Sequence, residues 1–248
     1  YFFWDRYNYG LDTHFYGPES MPKTLGKPLV KYGMLTESRI IVPQDYEVFH
    51  KHKGLEKEFK YIFTYDEQIL NAVENARFYP IAAGIWNQEM KTGLSEKKDR
   101  DVSILSSDKV MCELHRFRLA LAKMCKAERL ADTYGRFDGG DYVKSVDETL
   151  DRYRFSFIIE NDISDYYFSE RLTSCLASQT IPIYVGARKI SEFFNTDGMI
   201  LLEKPDLELA KEALKQCNRQ TYEEKLPAVL ENYERVQEYR NMQDYLYE

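Results

Sequence analysis

The chain has 248 residues and a formal net charge of −7 at pH 7, which is enough length for one large domain or two smaller ones with separate cores. Apolar residues make up 44% and charged residues 30%, the proportions of a soluble globular protein. This balance excludes a general nucleic-acid-binding protein, which would carry a basic stripe, so a phosphorylated ligand would need a local cluster of cations.

The cysteine and hydropathy patterns exclude further classes of protein. The four cysteines are widely separated and form no Cys-x-x-Cys pair, so neither a zinc site nor a disulfide framework is predicted. The longest apolar runs, such as Ile181–Val185, are far shorter than a membrane span, and the sequence contains neither a signal peptide nor an Asn-x-Ser/Thr acceptor site. We therefore expect a cytoplasmic protein without a membrane span, and peripheral association with a membrane stays open.

The first third of the chain is predicted to form short strands and helices after an irregular start. Glycine and proline punctuate residues 1–30, which we expect to form a loop. The aromatic opening Tyr1–Tyr16 suits either a platform on which a ligand stacks or a flap over a sheet. Further along, the residue types predict strands at 29–37, 39–42, 60–66 and 76–84, and helices at 45–52 and 66–76.

A polar, charged segment at 92–101 then separates a second series of alternating elements. Strands are predicted at 101–107, 129–135, 154–160, 180–187 and 199–203. Helices are predicted at 112–128, 146–153, 167–178, 189–195 and 207–217, followed by one long charged helix at 222–248. Strand–helix alternation on both sides of the charged segment indicates two Rossmann-like α/β halves with parallel sheets, whose ligands bind beyond the carboxyl ends of the strands.

The densest group of polar residues follows the strand predicted at 154–160. Glu160 and Asn161 end this strand, a polar loop containing Tyr167 follows, and a helix then begins near Glu170 and Arg171. A cation opposes the dipole at a helix start, so Arg171 fits that place if a phosphate binds there. Glu170 suits either a sugar hydroxyl pair or simply a favourable acidic helix start, and together these residues favour a site.

A second basic group lies in the helix predicted at 112–128. Arg116 and Arg118 follow a strand end, and the guanidinium fork suits diphosphate oxygens. Two residues apart on a helix, they face different ways, so we expect at most one of them in the cleft. His115 could act as a base, but a structural, hydrogen-bonded histidine is the more frequent case at such a position.

These segments resemble the signature of glycosyltransferase family 10, the α-1,3/1,4-fucosyltransferases, and especially its compact bacterial members. The matching residues are Tyr153-Arg-Phe155, Glu160-Asn161, Tyr167-Phe-Ser-Glu170-Arg171 and Ile181-Pro-Ile-Tyr-Val-Gly186. The segments at 61–70 and 106–123 are similar to further parts of the family pattern. The chain departs from the pattern at Arg171 and Ser169, where the family usually has lysine and threonine.

The resemblance implies a GT-B fold, in which two Rossmann-like domains face a cleft. It implies an amino-terminal, acceptor-side domain at 1–90, a nucleotide-sugar-binding domain at 91–222 and a carboxy-terminal helix at 223–248 that braces the first domain. Arg118 and Arg171 would bind the diphosphate of GDP-fucose and Glu170 its ribose, with Asn161 and Tyr167 lining the same site.

The resemblance also implies inverting transfer of fucose to a glycan hydroxyl, with an α-1,3-type linkage, by a glutamate of the first domain. Glu37 is the predicted base and Glu67 the alternative. No cofactor and no essential metal are expected, since the Asp99-Arg-Asp101 pattern lies in a charged, solvated segment. The alternatives are a GT-B transferase for another nucleotide sugar and a non-catalytic glycan-binding relative.

Overall fold

The computed structural model describes residue 5 and residues 7–80, 84–87 and 98–247 of the chain. The predicted domain boundary at 90 and 91 and most of the charged segment at 92–101 lie outside these residues, so that boundary stays a prediction. Within the described parts, no helix is long and apolar enough to cross a membrane.

The first half of the molecule is built on a four-stranded parallel sheet whose strands lie side by side in chain order. One face of this sheet packs on buried apolar side chains from the short helices that connect the strands. Both faces of a parallel sheet tend to be apolar, which explains why these strands contain few charged residues. The elements are β1 (Thr13–Tyr16), β2 (Val30–Leu35), α1 (Val48–Lys51), β3 (Tyr61–Thr64), α2 (Glu67–Ala72) and β4 (Ala76–Phe78).

Two expectations for this half were wrong. Residues 1–30 are not all loop, because β1 pairs with β2 in parallel from Thr13 to Tyr16. Residues 39–42 form a turn rather than a strand, with the N–H groups of Ile41 and Val42 donating to the Ser38 carbonyl. The side chain of Arg39 is held by the carboxylate of Asp66 through two bonds of 2.7 Å, which fixes the chain away from the sheet.

The second half contains a five-stranded parallel sheet whose strands, in spatial order, are β6 (Asp132–Tyr134), β5 (Arg100–Leu105), β7 (Tyr153–Ile159), β8 (Ile181–Val185) and β9 (Ile200–Leu201). The central strand β7 is an apolar run that is buried on both faces, as expected for a parallel sheet. The helices of this half are α3 (Glu113–Glu128), α4 (Asp147–Leu150), α5 (Glu170–Ala177) and α6 (Leu207–Leu214).

The two halves meet through aromatic side chains in the loops that follow the strands. The ring centroids of Tyr65, after β3, and Tyr167, after β7, lie 5.0 Å apart. Phe78, at the end of β4, stacks on Phe193 at 5.5 Å and contacts Tyr166 at 5.6 Å. These contacts bring the carboxyl ends of the two sheets to opposite sides of one cleft, where open α/β sheets bind their ligands.

The carboxy-terminal segment is two helices rather than one. Helix α7 (Arg219–Val236) ends at a tight turn, and α8 (Met242–Tyr247) begins after it. The side chain of Asn241 accepts a hydrogen bond from the Gln243 N–H at 2.9 Å and so starts a new helix. Helix α7 packs on the second half, while Tyr245 of α8 contacts Tyr79 beside the first sheet at 5.6 Å.

Candidate active site

A buried carboxylate at the end of strand β7 anchors the first turn of helix α5. Glu160 follows the strand directly and is fully buried. Its Oε1 atom accepts a hydrogen bond from the Ser169 N–H at 3.0 Å, and its Oε2 atom accepts one from the Ser169 hydroxyl at 2.5 Å. Burial raises the pKa of Glu160 to about 7, although these two bonds act in the opposite direction. Glu160 therefore fixes the cap of α5 relative to the sheet.

Arg171 occupies the first turn of α5, where a cation opposes the helix dipole. Burial lowers the pKa of its guanidinium group, and the charge of Glu160 is the largest effect that opposes this shift. Arg171 makes no ion pair with any carboxylate in the described part of the chain. A desolvated cation without a direct counter-charge, placed at a helix start, favours binding of an anion between the two.

Arg118 of α3 is a second such cation, and its side chain is only 2% exposed. Its Nη1 atom donates to the Ile159 carbonyl at 2.9 Å, but its buried Nε atom has no hydrogen-bond partner among the described residues. Burial, together with the nearby charge of Arg171, lowers the pKa of Arg118 to about 9. Arg116 is exposed and donates to the Val110 carbonyl, so only one of the two α3 arginines lies inside, as their spacing predicted.

Asn161 and Tyr167 lie beside these arginines but are engaged within the protein. The Asn161 Oδ1 atom is 2.8 Å from Nε2 of the buried His115, and its Nδ2 atom donates to the Tyr167 hydroxyl over 3.4 Å. Burial and the charge of Arg118 lower the pKa of His115, which keeps it neutral. Tyr167 is 1% exposed and packs on Tyr65. Its ring therefore belongs to the contact between the two halves and leaves little surface for a ligand.

Glu170 and Tyr79 approach each other from the two halves of the molecule. Glu170 is the first residue of α5, and burial raises its pKa, with a further contribution from the charge of Glu37. Tyr79 directly follows β4, is 2% exposed, and has a hydroxyl without a hydrogen-bond partner among the described residues. Sequence reasoning missed Tyr79, although an aromatic residue at the carboxyl end of a strand was a usable signal.

Glu37 lies two residues after β2 and is exposed at the cleft. Its Oε1 atom accepts a hydrogen bond from the Ser38 N–H at 2.7 Å, and its charge raises the pKa of both Glu170 and Tyr167. The carboxylate therefore lies near Glu170, at the start of the helix that carries Arg171. Glu67, in the first turn of α2, lies instead at the contact between the halves, where burial and the charge of Asp165 raise its pKa.

The two aspartates of the Asp-x-Asp pattern lie at the opposite end of the second sheet from this site. Asp99 and Asp101 flank the first residue of β5, and each pairs with an arginine, Arg152 and Arg154 respectively. Their carboxylates are therefore engaged at the amino end of the sheet. In the described part of the chain, Arg118 and Arg171, which make no ion pairs, and the exposed carboxylate of Glu37 lie instead near the carboxyl ends of the strands.

A sequence comparison decides the family. Residues 95–223, just over half of the chain, match the family model described as glycosyltransferase family 10 (fucosyltransferase), C-terminal part. The chain belongs to glycosyltransferase family 10. It is therefore a glycosyltransferase of the fucosyltransferase family, as the motifs predicted. The family 10 match contains all five predicted donor-site residues, whereas Glu37 precedes it.

Comparisons with solved structures confirm the predicted GT-B fold. An α1,3-fucosyltransferase with GDP is 16% identical, with a TM-score of 0.58 over 93% of this chain and 80% of that chain. An α1,3-fucosyltransferase with GDP-fucose gives 0.55 at 16% identity over 87% and 68%. An S. aureus TarM mutant in complex with fondaparinux, α-GlcNAc-glycerol and UDP gives 0.62 at 13% identity over 94% and 54%. No curated protein sequence matched.

Proposed function

We propose that this family 10 enzyme transfers L-fucose from GDP-fucose to a hydroxyl of a glycan acceptor. The observation that carries the proposal is the pair of buried or half-buried guanidinium groups, Arg118 and Arg171, without direct counter-charges. A diphosphate between them would restore the missing charge balance and engage the unpaired Nε atom of Arg118. The GDP and GDP-fucose complexes of the similar α1,3-fucosyltransferases support this choice of nucleotide.

The neighbouring residues supply the rest of the donor site. Glu170, at the start of α5, would accept hydrogen bonds from the ribose hydroxyls. Asn161 and Tyr167 would hold the wall behind the diphosphate through their contacts with His115 and Tyr65. Glu160 keeps the α5 cap in place, so the Arg171 guanidinium is positioned before the donor arrives and needs little reorganisation during the reaction.

The reaction is a single in-line displacement. The acceptor hydroxyl oxygen forms a bond to C1 of fucose while the bond from C1 to the β-phosphate oxygen breaks, and GDP leaves with the electron pair. The Glu37 carboxylate takes the acceptor proton as general base, and Arg118 and Arg171 stabilise the charge that develops on the diphosphate. Because the donor is β-linked, the product is α-linked, and we propose an α-1,3-type linkage. Arginine supplies the charge in this scheme, so transfer needs no metal.

A different nucleotide sugar is the second candidate. The S. aureus TarM mutant, whose structure contains UDP, has the same fold, and phosphate-binding cations do not by themselves select a base. Separate titrations with GDP and UDP distinguish these donors. The glycan-binding alternative is less favoured, because Glu37 lies near Glu170 and so supplies a base that a binding protein does not need.

Transfer assays on Glu37→Gln test the reaction, with Glu67→Gln as the matched control. Loss of a general base reduces turnover by about 10²–10⁴-fold, so Glu37→Gln should lose transfer while retaining GDP affinity. Glu67→Gln should keep transfer, and excess EDTA should leave the wild-type rate unchanged. Transfer is also assayed with a panel of oligosaccharide acceptors, and NMR of each product determines whether the new fucose linkage is α or β. Wild-type rates in Glu37→Gln, or a β-linked product, would overturn the mechanism.

A further inference from the structure

A short segment between the two halves, residues 84–87, is attached along helix α5. Three buried hydroxyls form hydrogen bonds with it: those of the adjacent helix residues Thr173 and Ser174, and that of Ser178 at the carboxyl end of the helix. These bonds run from Thr173 Oγ1 to the Gly84 carbonyl at 2.9 Å, from the Trp86 N–H to Ser174 Oγ at 2.9 Å and from Asn87 Nδ2 to Ser178 Oγ at 2.8 Å. Because breaking any of them leaves a buried polar group unpaired, the backbone of this segment is fixed on α5.

The indole of Trp86 nevertheless stays 48% exposed, beside the start of α5. Its ring centroid lies 5.9 Å from Cζ of Arg171, within the range of a cation–π contact. Other aromatic side chains near the cleft, including Tyr65, Tyr79 and Tyr167, are almost fully buried. A large ring that a fixed backbone holds in water next to Arg171 is available to stack on a ligand that Arg171 binds.

The residues around this ring match the parts of a nucleoside diphosphate. Arg171 is the proposed diphosphate ligand, and Glu170 is the proposed ribose ligand. Gly84 lies close to Glu170, since a Cβ added to this glycine would be 3.7 Å from the Glu170 Cγ atom. The indole therefore lies beside Arg171, two residues along the chain from the glycine that is close to Glu170. Aromatic side chains stack on nucleobases with little dependence on the base.

We propose that Trp86 forms the wall of the donor site against which the guanine base of GDP stacks. This inference rests on the proposed function, and it adds a residue from the segment before the family match at 95–223. It explains why the hydroxyls of Thr173, Ser174 and Ser178 hold the segment in place. Stacking contributes affinity for any purine nucleotide, whereas the arginines contribute affinity for the diphosphate alone.

Tryptophan fluorescence and calorimetry test the proposal, because the chain contains only Trp4 and Trp86. In Trp4→Phe, GDP should quench the remaining emission, and inorganic pyrophosphate should not. Trp86→Ala should weaken GDP by about 5–150-fold, corresponding to about 1–3 kcal/mol for one stacked base. Its affinity for pyrophosphate should stay within about twofold of wild type, and Trp86→Phe should recover most of the GDP affinity.

Two outcomes would overturn the role of Trp86. Trp86→Ala could bind GDP as tightly as wild type, or it could lose GDP and pyrophosphate equally, in which case the ring only positions Arg171. Both differ from failure of the proposed function, in which the folded wild-type protein would bind no GDP at all. If Arg171→Ala weakens the binding of GDP while Trp86→Ala does not, the proposed diphosphate site is supported and only the proposed stacking of the base on Trp86 is contradicted.

Discussion

At the scale of single residues, the environment of Arg118 destabilises the folded protein but favours the binding of an anion. Its guanidinium is buried, one of its nitrogens lacks a partner among the described residues, and its pKa falls to about 9. Such a group is tolerated when a ligand completes its contacts, because an uncompensated buried charge destabilises the fold. The environment of Arg118 is thus more favourable when an anion is bound than when the protein is free of ligand.

We predict that Arg118→Met weakens GDP by about tenfold or more without a matching loss of stability. Charge-assisted hydrogen bonds are worth about 1.5–3 kcal/mol, which sets the affinity loss. The free energy of unfolding should fall by less than about 1 kcal/mol or rise, because removing the buried charge offsets the lost bond to Ile159. Calorimetry and chemical unfolding measure the two effects. A large stability loss with unchanged GDP binding would make Arg118 a structural residue.

Glu160 gives a pH-dependent prediction at the same scale. Burial raises its pKa from 4.5 to about 7, so between these values the folded protein holds a proton that the unfolded chain has lost. Stability from this group is therefore complete below about pH 4.5 and is lost as the pH rises through about 7. The unfolding free energy of wild type minus that of Glu160→Gln should therefore fall as the pH rises over that range. A value that rises with pH would contradict the assignment.

At the scale of elements, the loop after strand β8 passes very close to the α5 cap. A Cβ on Gly186 would lie 2.3 Å from the Tyr184 hydroxyl oxygen and 2.6 Å from Cγ of Glu160. We predict that Gly186→Ala lowers the unfolding free energy by about 1–3 kcal/mol, as overpacking does, and weakens GDP because the α5 cap shifts. Gly17→Ala is the matched control, since nothing lies within 4 Å of its added Cβ. Equal stability of both variants would contradict this packing.

The order of elements could be predicted from sequence, but their ends depend on local bonds that the patterns do not reveal. Helix α5 was predicted to begin at residue 167, but it begins at Glu170 because Ser169 is its N-cap. The Ser169 hydroxyl is held in place by its hydrogen bond to Glu160. The tail was expected to be one helix, and Asn241 starts a second. The turn at 39–42 forms because Arg39 pairs with Asp66, a residue distant in sequence.

At the scale of the whole molecule, the net charge of −7 predicts that an anionic ligand needs a local cluster of cations, and Arg118 and Arg171 are the proposed cluster. The family resemblance predicted Arg118 and Arg171 as diphosphate ligands, but the sequence could not reveal that both lack direct counter-charges in the described structure. The approach of Tyr79 and Glu37 to Glu170 also depends on how the two halves meet. Contacts between distant parts of the chain follow from packing, which a single sequence does not encode as a readable pattern.

The most direct test of the donor site is calorimetric titration of GDP and UDP into wild type, Arg171→Ala and Arg116→Ala. Arg116 is the matched control, because it is exposed and two residues from the buried Arg118. We predict that wild type binds GDP more tightly than UDP, that Arg171→Ala loses about tenfold or more in GDP affinity, and that Arg116→Ala loses none. Equal GDP affinity in wild type and Arg171→Ala, or tighter binding of UDP, would contradict the GDP-fucose site proposed at the start of α5.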